Sequence, residues 1–182
     1  MSRNSNQDFL QNCNFHASAA GPAGTPDAET DFLHPEKSAD GTEAGFSQIT
    51  MPEVSTDAAE YREGHRTWTQ KFPGIPTVSD STFNQGVTLF GTGFYGWVVQ
   101  RLFEGLGEFR SDLTIWQFPR QLRTASGFLD LSKKDKAKKT LLFNCFPLRV
   151  KPSGDLDATG TDVSLSEMDV SVEYLHLEVP KA

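Results

Sequence analysis

Apolar and polar residues alternate along much of this chain in short runs separated by Gly, Pro and Asp, the pattern of strands joined by turns. Phe9, Cys13 and Phe15 alternate with polar neighbours and predict a first strand buried on one face. Runs at Phe46 to Met51, Asp57 to Gly64 and His65 to Phe72 predict three more strands, broken by Pro or Gly in turn-forming positions. Thr77 to Leu89 predicts another, anchored by Val78, Thr82, Val87 and Leu89, with Gly86 as a bulge. Leu113, Ile115 and Trp116 mark a strand, and so does Leu141 to Val150. The C-terminal stretch is the most regular. Val170, Val172 and Tyr174 alternate with Asp169, Ser171 and Glu173, and then the phase moves to Leu175, Leu177 and Val179, which requires a bulge or a change of face.

One segment follows the helical period instead. Phe94, Trp97, Val98, Leu102, Phe103 and Leu106 fall three and four residues apart, predicting an amphipathic helix over Phe94 to Leu106 that is closed by Gly105 and Gly107 and lies against a sheet. The stretch from Ala17 to Gly45 follows neither period. Pro22, Pro26 and Pro35 deny it a helix or a central strand, so it reads as a long inserted loop. Six carboxylates (Asp27, Glu29, Asp31, Glu36, Asp40, Glu43) face one Lys37 there, which fits a solvated loop or a contact segment. The sum is a single domain over residues 1–182: mainly β, an antiparallel β-sandwich or barrel with one flanking α-helix and a long loop, 17–45, after the first strand.

Composition narrows the function. The net charge of −7 supplies no overall cationic field, so sequence-independent nucleic-acid binding would have to rest on a local patch. Lys133, Lys134, Lys136, Lys138 and Lys139, offset by Asp135, read as a solvated turn. The polar stretch from Met1 to Leu10 has no signal-peptide core and no run reaches the length of a membrane span, which predicts a soluble protein made in the cytoplasm. Two cysteines are too few for a disulfide framework and read as buried thiols. Cys13 and His16 have the spacing of a metal-ligand pair, but Cys145 and His176, the partners they would need, carry no spacing signature, so no metal is expected.

Gly91, Gly93 and Gly96 spell G-x-G-x-x-G between a strand and a helix, with Asp112 placed as a ribose ligand. This leaves a nucleotide-binding oxidoreductase as an alternative. Phe94 and Tyr95 are bulky where a pyrophosphate would approach, and no alternation of strands and helices builds a parallel sheet. The plainer reading is a tight turn that lets the helix start close to the sheet. No G-x-S-x-G elbow or other nucleophile pattern occurs, so no catalytic residue and no cofactor are expected. A monomeric β-sandwich binding module is a third reading.

Three motifs carry a family likeness. Glu60-Tyr61-Arg62-Glu63-Gly64, followed by Trp68 to Gly74 with its Phe72-Pro73-Gly74 step, resembles the tail tube family of contractile phage tails and contractile injection systems. Gly86-Val87-Thr88-Leu89 is similar to a strand end of that family, with Gln85 in place of its arginine, and Tyr95-Gly96-Trp97 to Phe103 is similar to its single helix. Cys145-Phe146-Pro147, then Asp157 to Val163 leading into Glu167 and the last strands, resembles its C-terminal part. The likeness covers roughly residues 45–179, and the 17–45 segment is longer than the family's usual loop.

The resemblance implies a structural subunit, not an enzyme, that closes with copies of itself into six-fold rings and stacks into a tube with a central channel. A tube-initiator or baseplate-proximal relative forming one ring is the alternative within the family. The implied partners are further copies, the tail sheath protein, baseplate and initiator proteins, and a tape-measure protein or cargo in the lumen. No specific nucleic-acid binding and no membrane insertion are implied, and the expected location is a virion tail or injection-system particle assembled in the producing cell's cytoplasm. Asp57, Glu60, Tyr61, Arg62, Glu63 and Glu167 are the candidates for contacts between subunits or rings, where charge fixes register. An acidic lumen would repel passing DNA or acidic cargo, although which carboxylates face inward is not written in the sequence.

Overall fold

A computed structural model describes residues 10, 13–19, 46–87, 110–119, 135–154, 156 and 163–180. Nine strands run through them: β1 (Phe15–Ala19), β2 (Phe46–Thr50), β3 (Val54–Tyr61), β4 (Gln70–Val78), β5 (Ser81–Gly86), β6 (Ser111–Gln117), β7 (Lys138–Lys151), β8 (Leu165–Ser171) and β9 (Tyr174–Glu178). Every pairing between them is antiparallel. Seven form one sheet in the order β1-β6-β7-β8-β5-β2, with β9 also on β7, while β3 and β4 make a separate hairpin. The predicted mainly β, antiparallel architecture is what the chain adopts.

The long strand β7 organises the sheet. Its first part pairs with β6 and β9, and its last part, from Phe146, pairs with β8. Inward positions run Thr140, Leu142, Cys145, Pro147 and Val150, with steps of three where the period of two predicts steps of two. Each long step coincides with a bulge: Phe143 and Asn144 together face Asp112, and Leu148 is the extra residue between Pro147 and Arg149. Asn144 takes a left-handed φ of 55°, a conformation that asparagine tolerates. Its backbone N–H donates to Asp112 Oδ1 at 3.0 Å and its Nδ2 to Glu173 Oε2 at 2.8 Å, and Glu173 also pairs with Arg110. The bulges turn the sheet on itself. Ala17, Leu113, Ile115 and Leu142 from one half therefore meet Phe83, Met168 and Val170 from the other in one core.

Several sequence-predicted boundaries are corrected. The first strand begins at Phe15 and runs to Ala19, so Ala17 to Ala19 belong to it and not to the inserted loop. Ser18 and His16 are buried in that strand, small and aromatic polar side chains that period-2 reasoning discounts. Arg62 to Thr69 connects β3 to β4 where two abutting strands were predicted, and Thr77 and Val78 end β4 where a new strand was predicted to start. Gly86 pairs in register with Leu165, so the bulge lies instead on β2, between Phe46 and Gln48. Lys138 and Lys139 lie within β7, because the strand begins three residues before its apolar pattern does. The C-terminal phase change is a change of strand, since β8 ends at Ser171 and β9 takes up β7 further along. The helix predicted over Phe94 to Leu106, the glycines Gly91, Gly93 and Gly96, and residues 20–45 of the inserted loop lie outside the described residues.

Candidate assembly surface

The β3–β4 hairpin carries five of the six candidate contact residues, Asp57, Glu60, Tyr61, Arg62 and Glu63. Alternating Val, Thr and Tyr with small residues favours extended backbone, and Pro73 and Pro76 are tolerated because, among the described residues, the ribbon has no further strand to bond. A bulge sets two residues of β4, Gly74 and Ile75, against Asp57. A Cβ on Gly74 would sit 2.6 Å from the Asp57 carbonyl oxygen, so only glycine fits.

The polar candidates mostly hold the hairpin's own shape. Glu60 Oε1 meets Lys71 Nζ at 3.2 Å across the strands. At the connection Glu63 accepts from Arg66 Nε at 3.0 Å, His65 Nε2 lies 3.5 Å from the same carboxylate oxygen, and Arg62 Nε donates to the Arg66 carbonyl at 3.4 Å. Glu167, the sixth candidate, lies on β8 and is engaged with Arg149. Exposed pairs of this kind contribute about 0–1 kcal/mol each, so they shape the arm more than they stabilise it.

Exposed apolar residues are the unusual feature of the arm, and of them the sequence had marked only Tyr61 as a contact candidate. Every residue of β3 is exposed, and Tyr61, Trp68, Phe72 and Ile75 are 56%, 67%, 51% and 83% exposed. The register places Ala59, Tyr61 and Phe72 on one face, and Val54, Ala58, Pro73 and Pro76 on the other. An isolated two-stranded ribbon is marginal in water, and one with apolar groups on both faces is under-covered. Trp68, Phe72 and Ile75 inside a segment bounded by Gly64 and Pro76 were the available signal; the sequence reading placed Trp68 and Phe72 in a strand and gave none of the three a contact role.

The chemistry considered from sequence finds different geometry. Asp112, the would-be ribose ligand, accepts the Asn144 backbone N–H at the β7 bulge. His16 is buried and stacks on Trp116 with ring centroids 5.5 Å apart, Cys13 is exposed where a buried thiol was expected, and among the described residues no three His, Cys, Asp or Glu side chains gather as a metal site. Burial in the core pushes the Cys145 thiol up to about 12, so it packs as a small apolar group. A cleft of about 370 Å³ between β1, β2 and β6 is lined among the described residues by Phe15, Ile49, Met51 and Ile115 with Ser47, Gln48 and Gln117, a set without a titratable group.

Comparison with solved structures finds the same fold in chains of contractile injection machines. The sheath–tube complex of the PVC extracellular contractile injection system in its extended state is matched at a TM-score of 0.66 and 19% identity, over 96% of this chain and 95% of that one. The PVC sheath/tube terminator in its extended state gives 0.65 and 16%, over 95% and 99%. A chain of the six-fold symmetrised anti-feeding prophage baseplate gives 0.56 and 14%, over 76% and 83%. No curated protein matches the sequence. The family model described as T4-like virus tail tube protein gp19 matches residues 12–176, nearly the whole chain, and on that match this chain belongs to the T4-like tail tube protein family.

Proposed function

We propose that the chain is the repeating structural subunit of the inner tube of a contractile tail or injection system, closing into six-fold rings that stack around a channel for DNA or effector cargo. The exposed apolar hairpin carries this reading. It is an arm with too little core of its own, in a family of tube proteins, and a neighbouring copy would cover it. Tyr61, Trp68, Phe72 and Ile75 supply the anchors, while Asp57, Glu60, Arg62 and Glu63 set register around them. Sheath, baseplate and initiator proteins are the further partners, and the particle is the location. A single-ring initiator is the second reading, supported by the likeness to a baseplate chain.

The deciding experiment is negative-stain electron microscopy of the purified chain, with light scattering, beside the double variant Trp68→Ser/Phe72→Ser. Stacked tubes with a central hole are expected from the wild type and at most free subunits or rings from the variant. Rings that never stack support the initiator. A monodisperse species of 20.1 kDa at all concentrations and salts overturns self-assembly.

A further inference from the structure

Among the described residues no other strand packs on one face of the sheet, and its side chains, exposed or half-buried, are arranged in two cross-strand rows. In β7–β8–β5–β2 order the registers align Arg149, Asp169, Thr82 and Thr50 in the first row, and Lys151, Glu167, Asn84 and Gln48 in the second. The opposite face of these strands carries Val150, Met168, Phe83 and Ile49 into the core. In the other half of the sheet β6 is buried on both faces, Leu113 and Ile115 on one and Thr114 and Trp116 on the other, while β9 exposes Tyr174, His176 and Glu178 beside β7. Copies set side by side about an axis would carry the two bare rows around a circumference.

The rows are charge-balanced although the chain is not. Two cations, Arg149 and Lys151, stand with two carboxylates, Asp169 and Glu167, while the whole chain carries −7. Arg149 Nε donates to Asp169 Oδ2 at 2.7 Å and its Nη2 to Glu167 Oε1 at 2.5 Å, and Thr82 Oγ1 donates to Asp169 Oδ1 at 2.9 Å. A planar guanidinium shared by two carboxylates lies along the sheet, its charge cancelled within a few ångströms. The remaining members, Thr50, Thr82, Asn84 and Gln48, are short and neutral.

Building on the tube reading, we propose that this bare face is the wall of the channel and that the Glu167 and Asp169 clamp on Arg149 keeps the wall from holding a polyanion in transit. An uncompensated cation repeated on every subunit would make the bore a polyvalent anion trap, since each added phosphate contact multiplies affinity at low salt. A strongly acidic wall would instead oppose entry. The balanced rows do neither, so on this proposal the wall is neutral at these positions.

Two measurements on assembled particles test this. In a Cys13→Ser background, Asn84→Cys tubes should react with a small maleimide and be protected from a maleimide carried on a large dextran; equal reaction with both puts the face outside and overturns the proposal. Glu167→Gln/Asp169→Asn tubes should then retain about tenfold more of a fluorescent single-stranded oligonucleotide than wild-type tubes in low salt, with Arg149→Gln added in the same chain removing the gain. Gln48→Lys/Thr50→Lys, which leaves the clamp untouched, should give the same retention and serves if the first variant does not fold. Well-formed tubes of the lysine variant, or of the clamp variant, that retain no more than wild type overturn this proposal alone. A wild-type preparation with neither rings nor tubes overturns the assembly reading and this one with it.

Discussion

Asp169 shows how one side chain joins stability to charge. Its hydrogen bond from Arg149 holds the carboxyl below the usual carboxylate range, against the opposing effect of partial burial, and Thr82 adds a further bond to the charged form. Hydrogen bonds to Asp169 and Glu167 raise Arg149 further above its already high value. Because the folded form of Asp169 releases its proton more readily than the unfolded chain, its contribution is complete above the ordinary aspartate value of about 3.9 and is lost as pH falls through the lower folded value. Asp169→Asn should therefore lower stability by about 0.5–1 kcal/mol at neutral pH, an amount typical of a partly exposed pair. The gap in melting temperature between wild type and variant should close as pH is lowered from 6 to 3; a gap of constant size would show that the charge of Asp169 is not its source.

At the scale of elements, the β3–β4 hairpin and the β7 bulges place strain and freedom in different parts of the chain. Gly74→Ala would push a Cβ onto the Asp57 backbone, which cannot yield as a flexible side chain can, at a local cost on the order of 1–3 kcal/mol. Among the described residues the hairpin pairs with no other strand, so the body should keep its melting temperature within a few degrees. Hydrogen exchange within residues 54–78 should accelerate and tubes should fail to form. An alanine variant that assembles normally would mean that the arm's bulge has no part in assembly. The hairpin was half legible in the sequence: two strands were predicted there, but their predicted spans, Asp57 to Gly64 and His65 to Phe72, ran through the connection from Arg62 to Thr69. The β7 bulges were hidden for the opposite reason, since an extra residue breaks the period of two on which strand detection depends.

For the whole molecule, stability and assembly are linked by mass action. If a second copy covers the apolar arm, the folded state is favoured by concentration, and the wild-type melting temperature should rise as protein concentration is raised tenfold. Trp68→Ser/Phe72→Ser should flatten that dependence while leaving the dilute melting temperature nearly unchanged, because both residues are already exposed in the single chain. A wild-type melting temperature independent of concentration would argue that the arm stays uncovered.

The sequence alone determined that this is a β protein with antiparallel strands and a tail tube likeness, because alternation and turn residues are local properties and the family motifs are short and ordered. It also pointed to five of the contact candidates as one cluster, since Asp57 to Glu63 are neighbours in the chain. Only the tertiary structure decided which carboxylates are already spent. Glu167 and Asp169 look like two more acids in an acidic chain until register brings Arg149 across from β7, and Asp112 looks like a ligand until a bulge hands it the Asn144 amide. It also decided which apolar residues stay outside, since Phe72 and Phe83 carry the same side chain and only pairing to a core, or to none, separates them. Long-range pairing sets both outcomes, and local sequence does not encode it.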